Sequence, residues 1–163
     1  KKKPQELDRE TRKRVKRMKN EFKKPPELKV FANTEGYDQM IAQVGIPVPA
    51  LCEHHQVAFQ GHVTIAYLPD QWLIGLSKLG RVAEFYLNPT VKTIQEKATH
   101  KIMKHLQESL NPKGLMVIVT AEHNCIAYRG VKKPSLTITS AISGIFAKDP
   151  SAKSEFLSLV NKT

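Results

Sequence analysis

An α+β fold, with a largely antiparallel sheet carrying a pair of helices on one face, is what the order of apolar patterns along this 163-residue chain predicts. Two observations carry the prediction. Short alternating apolar stretches precede and follow a helical pair, and no internal repeat interrupts the order. At 40% hydrophobic residues the chain is large enough to bury one core without disulfide staples. An open antiparallel sheet leaves edges to be covered, and assembly of several copies into a ring or barrel is one way to cover them.

The elements divide into a basic helical arm over residues 1–28 and a body over 29–163. In the arm, Val15, Met18 and Phe22 recur at helical spacing over residues 9–22, and Pro25-Pro26 forces an end. The body opens with the strand-like stretches LKVF (28–31), QVGIPVPAL (43–51) and VTIAYL (63–68). In the last of these, Val63, Ile65 and Tyr67 share one face and His62, Thr64 and Ala66 the other. Pro69-Asp70 marks a turn. LSKLGRVAEFYL (76–87) reads as a helix, and residues 91–110 as a second, with Val91, Ile94, Ala98, Ile102, Leu106 and Leu110 along one stripe. Asn88-Pro89-Thr90 separates the two. LMVIVTA (115–121) and LTITSAISGIF (136–146) are strands, and residues 150–160 close with a short helix.

Charge is unevenly spread. Of 26 Lys and Arg residues, 12 fall within residues 1–24 against 4 of the 15 acidic ones, so most of the net +11 sits in the arm. A run of this kind suits a nucleic acid, a membrane surface, a polyphosphate, or only a solvated helix face. There is no apolar run of membrane-spanning length and no signal-peptide core, so the reducing cytoplasm is the expected compartment. The chain opens on Lys1 rather than Met, and a segment preceding it is expected. In such a compartment the two cysteines, Cys52 and Cys125, read as metal ligands or nucleophiles before they read as a disulfide.

LCEHHQVAFQGHV, residues 51–63, places a thiol, a carboxylate and two imidazoles side by side at a strand end. Cys52 and His55 are spaced to converge on one cation, and Cys125 supplies a third donor. Two thiolates and one imidazole suit zinc, and three protein ligands leave a fourth position for water. His54 precedes His55, and His123 lies two before Cys125. Neither is placed to ligate, and both are natural acids and bases near neutral pH. Glu53 is a candidate to orient a ligand and has no catalytic part. Taken singly, each cysteine is equally a small buried hydrophobe and each histidine a satisfied core or surface group. GLSKLGR (75–81) opens a helix with Ser77, Lys78 and Arg81 on about one face, and Arg129 follows the Cys125 strand. Cations at a helix start favour phosphate, or are merely solvated.

These residues resemble the GTP cyclohydrolase I family. The motifs are CEHH (52–55), GHVTIAYLP (61–69), GLSKLGR (75–81), IQEKAT (94–99), AEHNCIAYRGVKKP (121–134) and TITSAISGIF (137–146) leading to EFL. They run in family order over about the last three quarters of the chain. The resemblance implies the tunnelling fold, in which each subunit's sheet joins its neighbours in a pentameric barrel, and two rings stack into a homodecamer with active sites between subunits. It implies conversion of GTP and water into formate and 7,8-dihydroneopterin triphosphate, for folate, biopterin or 7-deazaguanine synthesis. Water adds at C8 of guanine, the imidazole ring opens, the formamide is hydrolysed, and an Amadori rearrangement with ring closure builds the pterin. On this resemblance Cys52, His55 and Cys125 bind zinc, His54 and His123 move protons, and Ser77 is catalytic. Lys78, Arg81 and Arg129 contact the triphosphate. Glu96, with Gln95 beside it, binds the guanine edge, whose adjacent N–H donors one carboxylate accepts together. Arg14 and Arg17 match the basic positions of the family's T-P-x-R-x-x-K-M helix and reach the triphosphate.

The chain departs from the family pattern at four places. Arg12 and Lys19 replace a proline and a tyrosine in the arm, and the longer amino-terminal helical region usual in the family either precedes Lys1 or is missing. The linker before Gln95-Glu96, containing NPTVKT, is two residues longer than the family's, and the loop after Arg129 is one shorter. Two other readings stand beside the leading one. One is a diverged member acting on another purine nucleotide such as dGTP, or stopping at the ring-opened formamide. The other is a non-catalytic basic protein that binds nucleic acid, a partner the full set of ligands and histidines does not call for.

Overall fold

The computed structural model describes residues 24–160. The helix expected over 9–22, with Arg14 and Arg17, lies outside the described residues. Five strands form the main sheet in the order β5-β2-β3-β6-β7. β2 (Ile41–Cys52), β3 (Ala58–Leu68), β6 (Gly114–His123) and β7 (Leu136–Gly144) run antiparallel to their neighbours, while the short β5 (Lys92–Thr93) pairs in parallel with the end of β2. β1 (Val30–Ala32) and β4 (Trp72–Ile74) form a separate two-stranded ribbon. The α+β class with an antiparallel sheet is therefore observed.

Helices α1 (Leu76–Tyr86) and α2 (Gln95–Leu110) cover one face. Alternation along the strands decides what they meet. Val48, Ala50, Phe59, Val63, Ile65, Tyr67, Val117 and Val119 point into one cluster with Leu79 and Val82 of α1 and Ala98, Ile102 and Leu106 of α2. The intervening residues face the other way, where Ala66 and Met116 meet Phe146 and Phe156. Those phenylalanines come from α4 (Ile145–Lys148) and α5 (Pro150–Val160), so the sheet is covered on both faces at the Gly114 end. No helix among the described residues is long and apolar enough to cross a membrane.

Three sequence expectations are corrected. α2 starts at Gln95 and not at residue 91, because the backbone of 92–93 is drawn out beside β2 and is no longer available to a helix. The strand expected over 136–146 ends at Gly144, whose positive φ of 61° turns the chain into α4. β4 went unforeseen, since three residues are too few to show a period. The linker after α1 makes a turn closed by Asn88, whose buried side-chain amide donates to the carbonyls of Glu84 and Phe85 at the end of α1.

β3 and β6 approach closely at Gly61. A Cβ there would lie 2.5 Å from Thr120 O and 2.7 Å from the Ala121 Cβ, both on the adjoining strand. Gly80, inside α1, has open space around it. Gly61→Ala is expected to destabilise the fold by about 1–3 kcal/mol through overpacking. Gly80→Ala is expected to stabilise it by about 0.5–1 kcal/mol through helix propensity. Urea midpoints of the two variants should shift in opposite directions, and a Gly61→Ala midpoint equal to the parent's would show that the strands part freely there.

Candidate metal centre and acid–base site

The CEHH segment is held from two sides. At the end of β2, the Cys52 N–H donates to Val57 O (3.0 Å) and the Gln56 N–H to Cys52 O (2.9 Å), closing a tight turn in which Gln56 takes a left-handed φ of 53°. β5 braces the turn, with the Glu53 N–H on Thr93 O at 3.0 Å and Lys92 Nζ on Gln56 Oε1 at 2.9 Å. His54 and His55 thus sit on a turn and not on an extended strand, their rings 6.3 Å apart at 84°.

Cys125 arrives from the short helix α3 (Asn124–Ala127) that follows β6. Pairing of Leu51 with Ala58 and of Phe59 with His123 brings the ends of β2 and β6 to the same end of β3. Ligand atoms of Cys52, His55 and Cys125 then lie within 4.8 Å of one another, with Cys52 buried, Cys125 half-buried and His55 exposed. Burial pushes the Cys125 thiol up from its ordinary value, and the charge of Cys52 and a hydrogen bond with it act in the same direction. Such a pair resists double ionisation unless a cation neutralises it. Two sulfurs and an imidazole, open on the His55 side, fit zinc with a coordination position left free.

His123 stacks on Phe59, with ring centroids 4.4 Å apart and planes 22° from parallel, and its Nε2 lies 2.7 Å from Gln95 Oε1. Burial holds its pKa below the ordinary histidine value, while the carboxylate of Glu96 pulls the other way. Glu96 stands exposed in the first turn of α2, where the helix dipole favours a negative charge. Cys52, His55, Cys125, His54, His123, Gln95 and Glu96 line one pocket of about 210 Å³, walled by Ile94, Ile126 and Thr137. With the linker at its present length, Glu96 keeps its place in the pocket.

Other residues singled out from the sequence do not line this pocket. Ser77, Lys78 and Arg81 are on α1, and Arg129 is on an exposed turn beyond α3. Glu53 is exposed in the turn. Sequence reasoning passed over Phe59, Thr99, Thr137 and Thr139. The alternation of Thr137 and Thr139 in the TITS stretch put them on one face, but only the sheet register shows that this face meets α2.

A family model described as GTP cyclohydrolase I matches residues 1–161. The GTP cyclohydrolase 1 of Aquifex aeolicus is 45% identical over 155 residues, spanning 93% of this chain and 83% of that protein. That of Sulfurihydrogenibium sp. is 40% identical over 157 residues, spanning 94% and 82%. That of Chlorobium chlorochromatii is 44% identical over 130 residues, 79% of this chain but 57% of the relative, so the chain spans little more than half of some proteins it matches. Among solved structures, E. coli dihydroneopterin aldolase in complex with neopterin superposes with a TM-score of 0.49 at 7% identity, covering 63% of this chain and 98% of that one. Matched along nearly its whole length and 45% identical to a relative most of which it spans, the chain belongs to the GTP cyclohydrolase I family of enzymes.

Proposed function

We propose that the protein is a zinc-dependent GTP cyclohydrolase of the cytoplasm, converting GTP and water into formate and 7,8-dihydroneopterin triphosphate. One observation carries the reading: Cys52, His55 and Cys125 converge in the same pocket as His54, His123 and Glu96. Zinc held by the three ligands would supply a water acidified towards neutral pH. Glu96, at the pocket's rim, accepts the adjacent N–H donors of guanine and so orients the purine, a pairing adenine does not offer. His54 and His123 hold and move the protons that ring opening and formamide hydrolysis require. Ile94 and Ile126 keep the base out of bulk water.

The same geometry supports a site shared between copies. A pocket of about 210 Å³ falls below the ~300–1,000 Å³ that encloses drug-sized ligands, so it takes a purine and not a whole nucleoside triphosphate. Ser77, Lys78, Arg81 and Arg129 lie outside its lining, and Arg14 and Arg17 belong to the arm. Among the described residues, β7 leaves one sheet edge unpaired, with Leu136 and Ile138 each 66% exposed, and most of β2 is unpaired on the other. In our reading β7 of one copy joins β2 of the next, five copies close a ring, and two rings form a decamer. Ser77 and the cations of a neighbouring copy then complete the site.

Purified protein loaded with zinc and given GTP, dGTP and ATP in parallel should release formate and dihydroneopterin triphosphate from GTP. Chelation and Cys125→Ala should each abolish both products. Formate without pterin, or turnover of dGTP alone, would replace the reading with that of a diverged member, and no turnover with salt-dependent DNA binding would end it. Glu96→Gln should lower kcat/KM for GTP roughly ten- to hundred-fold, the loss of hydrogen bonds to a charged acceptor. Cys125→Ala and Arg81→Ala proteins, each inactive, should regain on the order of one quarter of full activity when unfolded together and reassembled, as random mixing in a ring predicts. A mixture that stays inactive while forming normal assemblies would rule out the shared site.

A further inference from the structure

The nitrogen end of the Gln95 side chain faces two backbone carbonyls, which accept hydrogen bonds and cannot donate them. Its Nε2 lies 2.9 Å from Val119 O, 2.9 Å from Thr137 O and 3.2 Å from Thr139 Oγ. Two backbone carbonyls at one end of an amide fix that end as the NH2 group. The threonines agree with this direction. Thr99 Oγ donates to the backbone carbonyl of Gln95 at 2.8 Å, so the proton in its 2.7 Å contact with Thr139 Oγ comes from Thr139, whose oxygen is left to accept from the Gln95 side chain. At 2% exposure, Gln95 has no amide proton left for a ligand.

The oxygen end, Oε1, therefore faces His123 and has no proton to give. At 2.7 Å the donor is His123 Nε2. A neutral imidazole protonated at Nε2 carries its lone pair on Nδ1, and Nδ1 makes no hydrogen bond among the described residues. Stacking on Phe59 holds the plane of the ring, and Gln95 holds its rotation.

We propose that Gln95 is a positioning residue that fixes His123 as the Nε2–H tautomer and leaves Nδ1 as the ring nitrogen able to accept a hydrogen bond from substrate. The second half rests on the cyclohydrolase reading, and the first half does not. The resemblance set Gln95 beside Glu96 as a contact to guanine. Here it acts through His123, and Thr139 and Thr99 of β7 and α2 become its supports.

Nitrogen-15 spectra of the zinc-loaded full chain, labelled at histidine and assigned by the signal lost in His123→Asn, distinguish a protonated from a bare ring nitrogen. The expected result is Nε2 protonated and Nδ1 bare. Gln95→Met keeps the length of the side chain and removes the amide, and it should give a mixture of tautomers. Thr139→Val leaves both carbonyls on the amide and should keep the parent pattern. With GTP, Gln95→Met should lower kcat about 10–100-fold, as loss of an orienting partner does, with KM little changed. A parent His123 protonated at Nδ1, or a Gln95→Met protein that keeps the Nε2–H form, overturns the proposal, as does a raised KM at unchanged kcat. Should Gln95→Met fail to fold, the parent spectrum decides alone. The expected tautomer in a protein that turns over no GTP would leave the placement of His123 standing and remove the reaction.

Discussion

Register along β3 is the constraint on which the site depends. β3 is the central partner of β2 and β6, and its pairing with β6 runs without a shift from Phe59 opposite His123 to Leu68 opposite Gly114. Cys52 and Cys125 are far apart in sequence, and they meet because both chains leave the sheet at the same end of this strand. A slip by one residue would turn Phe59 away from His123 and reverse which side chains face the helices. Gly61 permits the close approach that this register needs, and the buried faces of Val63, Ile65 and Tyr67 hold it in place. The irregularity in the β2–β3 pairing, between Gln43 and Ile46, lies well away from the pocket.

The ligand geometry and the fold are consequently one problem. Cys52 and His55 are three positions apart on a turn that its own backbone hydrogen bonds close, so two of the three candidate ligands are local. Cys125 is brought in by long-range pairing, and a cation binding all three joins the ends of β2 and β6 beyond their common neighbour. A metal held by these three would therefore stabilise the sheet at the end opposite the Phe146 and Phe156 cluster.

Much of this was legible in the sequence. Alternation at Val63, Ile65 and Tyr67 showed a strand and its inward face, and the stripe of Ala98, Ile102, Leu106 and Leu110 showed a helix, because both periods repeat often enough to be read. The beginning of α2 was not, since Val91 and Ile94 continue the stripe by chance while the backbone there pairs with β2. The ligands and histidines could be named from spacing and resemblance, but the direction of the Gln95 amide could not. It is set by the carbonyls of Val119 and Thr137, and a carbonyl leaves no trace in the identity of its residue.

The short strand β5 bears on where this part of the chain could change length. Thr93 is tied to the CEHH turn through Glu53, and Lys92 through Gln56, immediately before the pocket residues Ile94, Gln95 and Glu96. Everything downstream of this tie is referenced to the turn, and upstream the exposed Pro89, Thr90 and Val91 leave room to lengthen. The tie works as a datum point: residues gained before it spill outward at the Pro89-Thr90 corner, while a single residue gained after it would rotate Glu96 by about 100° around α2 and off the pocket. Length variation in this part of the chain should therefore be tolerated on one side of Lys92-Thr93 and excluded on the other.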